Sequence, residues 1–178
     1  MQHPLEFVAN ENRKRFFFAF LFPTILLFAV FRVLDEPLRT SAAPSGIVSF
    51  ELARTPESSE YMLSSWSGEG KLSAAFGLGI DYLFMPLYSF ALAFGTLLAA
   101  GRHSGWIKSL GAVAGYGAFA AALFDAVENF ALFQILLGAY ESPYPAIAAV
   151  CATIKFGLLI FGLVYALGGW LMPGSNTR

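Results

Sequence analysis

The chain is predicted to be an all-α integral membrane protein, a four-transmembrane-helix bundle, and three observations predict it. Hydrophobic residues make up 57% of the 178 residues, with a mean hydropathy of +0.62. Charged residues make up only 13%, where soluble domains carry about 25%. The apolar residues also fall into four runs, each long enough to supply the about 20 helical residues that cross a hydrocarbon core. At this length a single membrane domain, 1–178, is expected.

The first span is expected over 16–34, with Pro23 as a candidate kink point. Its run is too long for the apolar core of a signal peptide. Arg32, Asp35 and Glu36 separate it from the small residues at 41–43, and Pro44 would follow any cut, so an uncleaved anchor is expected. A loop of about 37 residues, 35–71, follows. Within it Ile47 to Leu52 alternates, with Val48, Phe50 and Leu52 on one side, which fits a short extended piece. Thr55-Pro56-Glu57 supplies a cap, a proline at the first helical position and an acid in the first turn. A short interfacial helix is therefore expected from about Pro56 to Trp66, held at headgroup level by Tyr61 and Trp66. A packed connector with buried aromatics is the alternative.

The second span is expected over 72–100, the third over 107–137 and the fourth over 146–172. All three exceed a perpendicular crossing, which implies tilt or projecting ends. Gly111/Gly115 and Ala118/Ala122 have the small-xxx-small spacing that lets helices approach. Arg13, Lys14 and Arg15 before the first span, and Arg102 and Lys108 between the second and third, give the basic flanks. The 35–71 loop carries six acids against three bases. By the positive-inside rule the expectation is a multi-pass cell-membrane protein with both termini cytoplasmic.

Four ionisable residues interrupt these runs: Asp81, Asp125, Glu128 and Lys155. A charge in hydrocarbon costs about 2.5–3.5 kcal/mol even on the lenient insertion scale, so such residues normally face a protein interior and mark function. At 1.5 Å per residue all four lie about 14–18 Å from the outer ends of their spans. Asp125, Glu128 and Asn129 share one helical face at i, i+3 and i+4. Asp81 and Tyr88 share another, and Arg32 and Glu51 are further candidates around the site. Three carboxylates against one lysine call for compensation by Arg32, by a bound cation or by retained protons.

Several chemistries fit. The charges could form an interhelical salt-bridge network in a structural or assembly subunit. A carboxylate could act as general base or nucleophile on a lipid. Proton- or cation-coupled transport would use the same groups, and all-oxygen ligands suit a hard divalent cation. The reading favoured is a polar pocket, open to the outer face, that binds or processes an amphiphilic small molecule or lipid headgroup; membrane lipid is the expected partner. Whether it is an enzyme stays open. No haem, flavin or nucleotide motif occurs, and His3 and His103 both lie outside the apolar runs. A net charge of −1 gives no case for nucleic acid, and one cysteine excludes an internal disulfide.

Four spans with paired intramembrane carboxylates resemble, in plan only, lipoprotein signal peptidase, an aspartyl protease. That family's Asn-x-x-Asp-Arg motif is missing, since no Asp here precedes Arg, and the Asp-x-x-Glu-Asn run at 125–129 is a different arrangement. No residue role is carried over from it.

Overall fold

A computed structural model describes residues 1–141 and 143–173. It is 79% helical, with no strand among the described residues. The helices are α1 (Asn10–Leu34), α2 (Ile47–Glu51), α3 (Pro56–Ser65), α4 (Gly68–Ala100), α5 (Gly105–Leu136) and α6 (Tyr144–Leu171), with a 3-10 turn at Glu36–Leu38. Four of them, α1, α4, α5 and α6, are long and apolar enough to cross a membrane. The chain divides into two compact units.

The first unit comprises residues 1–25, 86–122 and 155 onward. Leu92, Phe94 and Leu97 of α4 pack with Ala118 of α5 and with Leu5 ahead of α1. Phenylalanines knit the same helices together: Phe20 stacks on Phe90 at 4.9 Å between centroids, and Phe90 meets Phe119 edge-on at 5.1 Å. Gly111 of α5 does what its spacing predicts. A methyl group there would collide with the Ala100 methyl of α4 and the Tyr165 hydroxyl of α6. That hydroxyl donates to the Ile107 carbonyl at 2.9 Å. Gly115 has a different role. The space beside it holds the imidazole of His3, so this glycine seats the amino-terminal segment.

The second unit comprises residues 26–85 and 123–154. Its core joins the segment after α1 to α4, α5 and α6 through Leu38, Phe50, Leu63, Trp66, Leu78, Leu132, Ile135 and Ala148. Helix ends here are set by local chemistry. The Thr55 hydroxyl accepts from the Ser58 amide at 3.2 Å, starting α3 at Pro56. The Ser67 hydroxyl accepts from the Gly70 amide at 3.1 Å, so α4 starts at Gly68, earlier than the apolar run suggests. Gly138, at φ +100°, closes α5 with paired bonds from its own amide to Ile135 and from Ala139 to Gln134. That pairing is the Schellman arrangement, which needs a left-handed residue and favours glycine.

Two expectations for this segment are corrected. Residues 47–51 form α2 instead of an extended piece. The Asp35 carboxylate accepts the Ile47 amide at 2.8 Å and also holds Arg39 at 3.0 Å, giving the helix an anionic cap from a residue twelve positions away. Phe50 is then buried while Val48 and Leu52 stay exposed, a helical rather than an alternating pattern. Trp66, expected as a headgroup anchor, is 4% exposed and core-packed, meeting Phe50 edge-on and donating its indole N–H to the Leu38 carbonyl at 2.9 Å. Tyr61, its expected companion, is 64% exposed.

Gly46 holds the α2 entry together: its φ is +59°, and the Asp35 carboxylate occupies the space a Cβ would need. Gly46→Ala should therefore cost about 2 kcal/mol or more, a strained backbone plus a displaced cap. Trypsin cleavage at Arg39 and Arg54 in detergent should accelerate while cleavage elsewhere does not. An unchanged cleavage rate and melting temperature would refute this account of α2.

Candidate functional site

The polar residues of the second unit converge where α4 passes α5. Asn129 is 1% exposed and donates to the Leu78 carbonyl at 3.2 Å and to Asp81 Oδ2 at 2.9 Å. A backbone carbonyl can only accept, so the amide nitrogen must lie on this side, and both its protons are used. One turn along, the Tyr82 hydroxyl donates to the Ala126 carbonyl at 3.3 Å. These three bonds fix the register of the two helices and bring Asp81 level with Asn129.

Two further acids of α5, Asp125 and Glu128, lie within a turn of Asn129. Asp125 and Glu128 share a helical face with Asn129; Asp125 is buried and Glu128 is 0% exposed. The carboxylates of Asp81 and Asp125 both lie within electrostatic reach of the Tyr82 phenol. Asp81 is only partly buried, and the Tyr82 ring beside it is exposed. Glu128 is thus sealed in the protein interior, while Asp81 is partly exposed.

The other expected residues stand as follows. Glu51 closes α2 and is buried within the second unit. Arg32 lies exposed in the last turn of α1. Lys155 and Tyr88 are buried and belong to the first unit, where the Lys155 ammonium sits 4.8 Å from the Phe156 ring centroid. Tyr82 was not singled out from sequence. Its position beside Asp81 was visible, but its bond to the Ala126 carbonyl depends on the α4/α5 register.

Both histidines are more structured than their place outside the apolar runs suggested. The buried His103 ring bonds the Gly169 carbonyl at 2.9 Å, and His3 is buried against α4 and α5. No group of three or more His, Cys, Asp or Glu among the described residues has a metal-holding arrangement. Chemically, three carboxylates and an amide suit a partner that donates hydrogen bonds or carries positive charge.

The chain matches no protein-family model, no curated protein sequence and no solved structure.

Asn129→Ala removes two donors from a buried site and should cost about 1–3 kcal/mol. Asn129→Asp should be worse at pH 8 than at pH 5, because a second carboxylate beside Asp81 is tolerated only while it holds a proton. Thermal unfolding in detergent at both pH values checks this. Equal melting temperatures for wild type and Asn129→Ala would show that the bonds contribute nothing.

Proposed function

We propose that this is a multi-pass membrane protein, with both termini cytoplasmic, whose Asp81–Asp125–Glu128–Asn129 cluster binds or processes the polar end of an amphiphilic small molecule or lipid. The observation that carries the reading is the Asp81–Asn129 bond, which joins an acid of α4 to the α5 segment bearing Asp125 and Glu128, in two helices apolar enough to span a bilayer. Charges in such helices are costly unless they meet a partner or a polar cavity. α1 supports the membrane placement: none of its residues is buried, and Phe18, Phe22, Leu26 and Phe28 are all exposed. Water would not tolerate that surface, whereas lipid does.

An amphiphile fits because the surface at Asp81 combines polar and apolar groups. Asp81 and the Tyr82 hydroxyl offer hydrogen bonds, while the exposed Tyr82 and Leu83 side chains beside them suit a hydrocarbon tail. The carboxylates favour a head that donates protons or carries positive charge. A purely structural network is the second reading, favoured by the complete use of the Asn129 amide protons.

Ligand-dependent thermal stabilisation separates the two. Purified protein should be stabilised by one class of headgroup, by about 2.7 kcal/mol at a hundredfold excess over Kd. Asp81→Asn and Glu128→Gln should remain folded and lose that response. A wild type indifferent to zwitterionic, anionic and cationic amphiphiles alike would leave the structural network as the better account.

Orientation has its own test. In a Cys151→Ser background, Tyr61→Cys should react with a membrane-impermeant thiol reagent added to intact cells. Reaction only after permeabilisation would reverse the topology.

A further inference from the structure

The first nine residues fold back on the first unit through a set of contacts that the proposed site does not use. His3 sits in the space left by Gly115 of α5, where a methyl group would overlap its ring. The ring is buried and both of its nitrogens are engaged: Nε2 lies 3.1 Å from the Thr96 hydroxyl of α4, and Nδ1 accepts the Leu5 amide at 3.1 Å. Thr96 gives its one hydroxyl proton to the Ala93 carbonyl at 2.9 Å, so its oxygen accepts from Nε2–H. Nδ1 must then be bare to receive the Leu5 amide. The geometry thus selects one neutral tautomer, and a proton on Nδ1 abolishes the turn that presents the ring.

Outside the ring the segment is held more loosely. Lys108 of α5 meets Glu6 at 3.4 Å across a largely solvated gap, a type of pair worth little. The Glu6 carboxylate also accepts the His3 amide at 3.2 Å. Arg13 of α1 donates to the Val8 carbonyl at 2.8 Å and the Glu6 carbonyl at 3.0 Å. Beneath lies a cavity of about 40 Å³ lined by His3, Glu6, Arg13, Leu97, Lys108 and Ala112. The charged or titratable groups around His3 are therefore Glu6, Arg13, Lys108 and the amino group of Met1, a residue that lines the same cavity.

We infer that residues 1–9 are an acid-released latch, docked through neutral His3 on Thr96 and Gly115 and freed when the imidazole takes up a proton. Burial pushes the His3 pKa down from 6.5 to about 4, Glu6 opposing the shift and Arg13 adding to it. A base whose docked pKa is depressed stabilises the docked state fully above its free value of 6.5. That contribution is lost as pH falls from 6.5 towards 4, by about tenfold in the docking equilibrium per pH unit. Glu6, held below the usual carboxylate range by the His3 amide and Lys108, weakens docking only at pH values below about 4.5.

Hydrogen exchange on the full chain in detergent, corrected for intrinsic rates, reads the latch directly. Between pH 7.5 and 5 the protection of amides in residues 4–9 should fall about 30-fold, while α5 amides keep theirs. His3→Gln should abolish the pH dependence, and Glu6→Gln should retain it. Thr96→Val should lower protection in residues 4–9 at every pH in the range. Wild-type protection that is flat from pH 7.5 to 5, or an equal slope in His3→Gln, would overturn the latch.

Discussion

Both amide protons of Asn129 go to α4, and the architecture of the polar cluster depends on that double donation. A polar group buried between apolar helices is expensive when unmatched, so its partners dictate how the helices meet. Once Asn129 is joined to Leu78 and Asp81, Tyr82 lies beside Ala126. Register and chemistry are therefore one constraint. A shift of α4 by one residue would separate Asp81 from Asn129 and turn Tyr82 away from its carbonyl.

The same rule recurs at four other buried polar side chains. The Trp66 indole finds the Leu38 carbonyl, His103 finds Gly169, Tyr165 finds Ile107, and His3 finds Thr96. In each case the partner is a backbone carbonyl or a hydroxyl on a different segment, so each bond also ties two segments together. Glycines set the distances at which this works. Gly111 admits a tyrosine hydroxyl, Gly115 admits an imidazole, and Gly46 leaves room for the carboxylate that caps α2.

Much of this was legible in the residues. Four long apolar runs identify the four long helices, and the Thr55-Pro56 pair marks the start of α3. Helical spacing puts Asp125, Glu128 and Asn129 on one face of α5, and the Asn129–Asp81 bond joins that face to α4. Other features were hidden because they depend on partners far along the chain. Six alternating residues could not reveal that Asp35 would cap them as a helix. Gly115 carries the spacing of a helix-packing glycine, and nothing local says that a histidine over a hundred positions earlier occupies it. Trp66 reads as an interfacial anchor until Leu38 and Phe50 surround it. Periodicity reports which face is apolar, not which distant group completes it.

The central claim is that the acids on α4 and α5 hold the head of an amphiphile. Native mass spectrometry of the protein released gently from detergent addresses it most directly, by comparing wild type with the Asp125→Asn/Glu128→Gln double variant. The account predicts a retained adduct on the wild type that the variant loses while its melting remains cooperative. Identical adduct patterns on two folded proteins would contradict it.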